Sequence, residues 1–357
     1  MRFEVWGSTF INIAFNMKIS RLLLSIFAFV IALSSCEKEE QNDDFPEIIP
    51  GNGFFVINEG NYGWGNASLG YVSLLNDNSY HKLFESANNS PLGDVFQAIS
   101  LINNKLFLVV NNSGKIEVTD PVNITSVATI TGITSPRNII QVDENTALVT
   151  DLYANKIYII DLDNYTVSRH IAVSGWTEEA VAVGDNIFVS NMKNHLIYVI
   201  DKNSLQLTDS INTSPMPGRM ILHDNTLWVL CAGMPEDNTA GALMAVSTDT
   251  FEIIHHIELP ASSFANMAIS PEKDKLYILT EDLYELSTLS PETPETPFIS
   301  ASGMLFYGLA VDPSNGDIYI ADAIDYVQRG VIMRYKASGT FIKKYDADII
   351  PGGFFFY

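Results

Sequence analysis

The stretch Thr146-Ala-Leu-Val-Thr-Asp-Leu-Tyr-Ala-Asn-Lys-Ile-Tyr-Ile-Ile-Asp-Leu162 decides the fold. It is a strand, a polar turn and a second strand, rich in the Val, Ile, Tyr and Leu that suit a half-buried pleated surface. Its copies are KLFLVVNNSGKIEVTD (105–120) and NIFVSNMKNHLIYVID (186–201). Looser copies are TLWVLCAGMPEDNTAGALMAVS (226–247), KLYILTEDLYELSTLS (275–290) and DIYIADAIDYVQRGVIMRYK (317–336). Large apolar anchors recur at Phe107, Leu148, Phe188, Trp228, Tyr277 and Tyr319, roughly forty residues apart. A short apolar run precedes each copy, beginning at Arg137, Glu179, Arg219, Asn266 and Tyr307. A turn and a last strand follow, as in Thr166–Val173 and Thr208–Ile211. Four strands per unit at this period predict an all-β propeller, because one such unit cannot bury both of its faces alone.

The chain ends settle the blade count. Gly53–Asn58 followed by Ala67–Leu75 is another copy, with no innermost strand before it. The chain closes on Ile349-Ile-Pro-Gly-Gly-Phe-Phe-Phe-Tyr357, an apolar strand with no copy after it. Pairing the two gives seven four-stranded blades over residues 53–357, with the C-terminal strand completing the first blade and leaving only short edges.

The formal net charge is −22, with 47% hydrophobic residues. No Lys/Arg cluster offers a phosphate backbone its counter-charge, so nucleic acid is not an expected partner. Residues 1–36 stand outside the propeller. Met17-Lys-Ile-Ser-Arg21 is basic, and Leu22–Leu33 is apolar but short for a bilayer. With Leu33-Ser-Ser-Cys36 they form a secretory signal, and residues 1–16 look like a misassigned start. The ending resembles a bacterial lipobox, which implies lipidation of Cys36 and an anchor in the outer membrane. Residues 37–52 open with the acidic run Glu37–Asp44, a disordered tether that also resembles a signal for export to the cell surface. Cys231 is the one other cysteine, expected to be a buried, inert thiol.

The loops at the starts of the innermost strands and between second and third strands are where a rigid ring displays chemistry. The Gly-rich Asn58–Asn66 loop is the least repeat-like of them. Candidate ligand contacts are Asn58, Glu59, Asn61 and Trp64 there, with Asn111, Arg137, Asp151, Tyr153, Trp176, Glu178, Asn191, Lys193, Arg219, Phe306 and Tyr307 elsewhere. Rings supply apolar area, and amides and charges fix orientation, as a large polar organic ligand requires. Structural roles compete with these: Trp176 as a blade cap, Arg137 and Arg219 as ligands of loop carbonyls. No catalytic constellation, no metal spacing and no cofactor site emerges. In Asp312-Pro-Ser-Asn-Gly-Asp317 a β-turn explains the oxygen spacing better than a calcium loop.

The Tyr-rich strand pairs resemble the YVTN-type, YncE-like propellers. Phe55-Val-Ile-Asn-Glu-Gly-Asn61, Gly93-Asp-Val95 and Pro351-Gly-Gly-Phe-Phe-Phe356 resemble surface lipoproteins that capture cobalamin beside an outer-membrane transporter. Trp176-Thr-Glu-Glu179 falls where those proteins carry a similar aromatic step, with Thr177 in place of proline. The resemblance implies a non-enzymatic subunit that is a monomer apart from its TonB-dependent transporter and binds cobalamin as ligand. A protein- or glycan-binding surface propeller and a metal-dependent lactonase or lyase are the competing classes.

Overall fold

The computed structural model describes residues 45–260, 262 and 266–357. The expected signal, the Cys36 lipidation site and residues 37–44 of the tether lie outside the described residues.

The described residues form seven antiparallel sheets. Blade one joins Gly53–Asn58, Ser68–Ser73 and Ser79–Tyr80 to the C-terminal strand Pro351–Phe356. The innermost strands of the other blades are Phe96–Ile102, Pro136–Gln141, Thr177–Val183, Pro217–His223, Asn266–Ile269 and Phe306–Val311. Each innermost strand packs against those of the blades before and after it, and Pro351–Phe356 closes the circle between Phe306–Val311 and Phe96–Ile102. The closure is antiparallel, with Phe54, Phe55 and Val56 opposite Phe356, Phe355 and Phe354.

Period-two alternation explains the core. Successive side chains of a strand face opposite neighbours. Phe54 therefore packs with Tyr319 and Ile332 of blade seven, while Phe55 packs with Leu106 and Leu108 of blade two. All six repeat anchors are buried, each in an apolar cluster shared with the next blade. Phe107 meets Val149 and Tyr158, Leu148 meets Ile187, and Trp228 meets Ile278. Cys231 is buried among Met220, Val229 and Met244, and burial pushes its thiol up to about 12, so it stays protonated and inert.

One blade departs from the four-stranded expectation. Blade six has three strands among the described residues, Asn266–Ile269, Lys275–Leu279 and Leu283–Ser287. The place of its outer strand falls to Ser290-Pro-Glu-Thr-Pro-Glu-Thr-Pro297, whose prolines cannot donate to a ladder. The Asp312 carboxylate accepts from the Ser314 amide and hydroxyl and from Asn315 Nδ2, a side-chain-closed turn.

Candidate functional site

The innermost strands begin one or two residues earlier than their alternation predicts, and the extra residues are β-bulges. In blade three Pro136 pairs with Asp151 and Ile139 with Val149, so Arg137 and Asn138 bulge out. Glu178 and Glu179 do so in blade four, and Gly218 and Arg219 in blade five. Gln97 bulges in blade two, Tyr307 in blade seven and Gly352 in blade one. A bulge re-aims its side chains out of the pleat. Here six of them lie at one end of the innermost strands, and five, all but that of Gly352, turn polar groups toward each other across the central channel.

The result is a ring of paired charges. Arg137 donates from Nε and Nη2 to both oxygens of Glu178, at 2.7 and 2.5 Å, and from Nη1 to Gln97 Oε1 at 2.5 Å. Three blades are thereby tied together by one guanidinium. Arg219 donates from Nη1 to Glu179 Oε1 at 2.6 Å, and the other Glu179 oxygen accepts the Met220 amide. In place of loop carbonyls, both arginines take carboxylates from the neighbouring blade.

Blade one contributes differently. Gly352 leaves its ring position empty, and Glu59, just past the end of strand Gly53–Asn58, folds over it. Tyr307 donates its hydroxyl to Glu59 Oε2 at 3.0 Å. Burial pushes the Glu59 carboxyl up from 4.5 to about 7, against the Tyr307 hydrogen bond and the charges of Arg137 and Arg219. Burial and the adjacent Glu59 push the Tyr307 phenol well above its ordinary value, so it stays a donor.

Beside the ring, Glu59, Tyr62, Asn111, Asn112, Ser135 and Tyr153 line a cavity of about 580 Å³. Two of the lining side chains are exposed aromatics: Tyr62 and Tyr153 are 78% and 62% exposed, and Trp64, on the same loop as Tyr62, is 77% exposed. Tyr153 meets Trp176 edge-to-face at 6.3 Å, and the Lys193 ammonium lies 5.7 Å from the Trp176 ring. Tyr307 meets Tyr326 edge-to-face at 5.7 Å. The loop carrying Tyr62 and Trp64 is held at its base. Asn61 and Asn66 bond each other, Asn61 Nδ2 donates to the Tyr326 carbonyl, and the Gly63 amide donates to Asp94.

The fifteen candidate ligand contacts fall into three groups. Glu59, Arg137, Glu178, Arg219 and Tyr307 converge on the channel ring, and Trp64, Tyr153, Trp176 and Lys193 form the rim. The remainder are framework. Asn58, Asp151 and Asn191 are fully buried at one repeat position, the end of a second strand, and Asn111 is buried one residue beyond it. Asp151 accepts four backbone amides, from Thr134, Ser135, Tyr153 and Ala154. Asn58, Asn111 and Asn191 likewise staple neighbouring segments. Asn61 holds its own loop, and Phe306 lies in the core between blades six and seven. Gln97 and Tyr326 join the site without a sequence signal, since neither stands in a distinctive motif. Among the described residues there is no group of three or more His, Cys, Asp or Glu arranged to hold a metal.

Solved structures share this fold. A quinonprotein alcohol dehydrogenase-like protein from Bacteroides thetaiotaomicron is similar at TM-score 0.69 and 15% identity, over 85% of this chain and 78% of that one. Dihydro-heme d1 dehydrogenase NirN is similar at TM-score 0.60 and 12% identity, over 87% and 76%. Apo AztD from Citrobacter koseri is similar at TM-score 0.54 and 12% identity, over 86% and 98%. At these identities the likeness concerns architecture. No curated protein matches the chain. A family model matches residues 52–357, the whole propeller, and the chain therefore belongs to the family described as "Domain of unknown function (DUF5074)".

Proposed function

We propose that this propeller is a surface-anchored, non-enzymatic binding protein that captures a large polar organic nutrient, a corrinoid such as cobalamin first among them, for a TonB-dependent outer-membrane transporter. The observation that carries the reading is the pair of exposed aromatics, Tyr62 and Tyr153, at the 580 Å³ cavity, with Trp64 exposed on the same loop as Tyr62. Tyr62, Trp64 and Tyr153 remain exposed although the same chain buries aromatics tightly between its blades. Exposed aromatics that cluster at a cavity mouth supply stacking area at low entropic cost. Asn111, Asn112 and Ser135 line the cavity wall, held in place by the bonds of Asn111 to Ser135 and Pro136 and of Asn112 to Asp94. A corrinoid is larger than the cavity, so one edge enters and the ring face lies on the rim. The lipobox at Cys36 and the acidic tether fit a protein held at the outer membrane beside a transporter.

Titration calorimetry of residues 45–357 with cyanocobalamin tests this reading. Saturable one-to-one heat supports it. Absence of heat at several temperatures removes the corrinoid and returns the ligand class to open search.

The exposed Ile324, Tyr326 and Val327, in a loop bonded to the Asn61 loop, favour a second reading as a protein-docking surface. Stoichiometric co-purification with a transporter, without any small-molecule binding, would support that one instead.

A further inference from the structure

The channel ring is built for more than cross-bracing. Its two arginines are used unequally. Arg137 spends its fork on Glu178 and Gln97, with its side chain 19% exposed. Arg219 is 42% exposed and, among the described residues, bonds a side chain through Nη1 alone. Its Nε and Nη2 make no hydrogen bond among the described residues. Glu59 is likewise half engaged. Tyr307 occupies Oε2, and Oε1, over the bare Cα of Gly352, has no hydrogen bond among the described residues. Two incompletely engaged polar groups thus lie at one end of the innermost strands, near enough for the Arg219 charge to act on Glu59.

We propose that the channel mouth is an oxyanion seat, in which the Arg219 guanidinium and the Glu59 carboxyl together hold a carboxylate or a phosphate-type group. The unengaged Arg219 donors favour an anion over a cation. With Glu59 protonated, Arg137 and Arg219 balance Glu178 and Glu179, and a further positive charge would meet Arg219 first. An ionised Glu59 would repel the anion; a protonated one donates to it from Oε1–H while Oε2 keeps the Tyr307 hydrogen bond. The groups that face Glu59 are Tyr307 and Tyr326 from blade seven, Arg137 from blade three, Glu178 from blade four and Arg219 from blade five. Burial holds the Glu59 proton on up to about pH 7, which makes the seat available at neutral pH and closes it above. The seat shares Glu59 with the aromatic-rimmed cavity but needs none of its aromatics, so it stands independently of the corrinoid reading.

Calorimetry with sodium acetate and, separately, sodium sulfate tests the seat, because both anions stay fully ionised from pH 6 to 8. Acetate stands for carboxylates and sulfate for phosphate-type groups, so the two titrations separate the sources. The expected result is binding about tenfold tighter at pH 6 than at pH 8, following the Glu59 protonation. Titration in two buffers of different ionisation heat should show proton uptake on binding near pH 7. Glu59→Gln, which keeps a donor at that place, should bind with no pH dependence. Arg219→Gln should bind at least tenfold more weakly at both values. Carboxyl-carbon NMR of Glu59 gives a readout that does not depend on variants: added acetate should raise its midpoint. Weak binding that is unchanged by pH and by both substitutions would overturn the proposal, as would a Glu59 midpoint unmoved by either anion. Corrinoid binding with no anion effect would overturn the seat and leave the rim reading intact; the reverse result would do the opposite.

Discussion

Glu59 occupies the space that a side chain on Gly352 would need: a β-carbon built there would land on the Glu59 carboxylate. The two residues lie at opposite ends of the described chain, and their contact is the place where ring closure and candidate site coincide. Gly352→Ala should displace Glu59 from Tyr307 and cost about 1–3 kcal/mol through overpacking. Denaturant unfolding gives the cost. Carboxyl NMR should show Glu59 titrating nearer its ordinary range.

The raised Glu59 pKa has a defined effect on stability. The folded carboxyl keeps its proton up to about pH 7, whereas the unfolded one loses it near 4.5. The folded state therefore holds the extra proton between those values. Its stability contribution is fully present below pH 4.5, is lost as pH rises to about 7, and is flat beyond. Glu59→Gln removes this dependence. It should be close to neutral for stability below pH 4.5 and more stable than wild type above 7, as read by unfolding at matched pH values.

The Arg137 fork should not tolerate a conservative change. Arg137→Ala leaves Glu178 without its partner in a narrow channel, at a cost of roughly 3 kcal/mol. Arg137→Lys should recover little of that, because an ammonium cannot match two carboxylate oxygens and Gln97 at once. Thermal unfolding of both variants checks the order.

Closure should be worth most of the fold. Phe54 is fully buried against Tyr319, Phe354 and Phe356, with ring centroids 4.7, 5.7 and 5.3 Å away. Phe54→Ala should cost about 3–5 kcal/mol. Removing residues 350–357 takes away the innermost strand of blade one and should abolish cooperative unfolding, as seen by circular dichroism.

The ring of blades was legible because the repeat is written in buried anchors. Phe107, Leu148, Phe188, Trp228, Tyr277 and Tyr319 are large, apolar and evenly spaced, and the unpaired first and last copies imply their own pairing. Blade six has one strand fewer than the repeat suggests because a strand pair alone implies a full blade, while the prolines at 291, 294 and 297 remove ladder donors where its outer strand would run. The candidate site was less legible. Asn58, Asp151 and Asn191 look like ligand groups because they are polar residues at loop mouths; burial turns them into staples for backbone amides. The bulges are hidden for the opposite reason. An inserted residue only shifts the alternation, so Gln97 has no pattern of its own. Nothing local in Asn58-Glu-Gly60 shows that Glu59 will fill a gap left by a glycine near the other end of the chain.

The rim variants carry the functional account. Trp64→Ala and Tyr153→Ala change exposed side chains and should leave stability within about 0.5 kcal/mol. Each should weaken ligand binding about tenfold or more, the scale of an aromatic anchor. The deciding measurement is calorimetric titration of residues 45–357 with cyanocobalamin, wild type beside Trp64→Ala. The account predicts saturable one-to-one binding by the wild type and clear weakening in the variant. No binding by folded wild type, or equal binding by both proteins, would contradict capture by the aromatic rim.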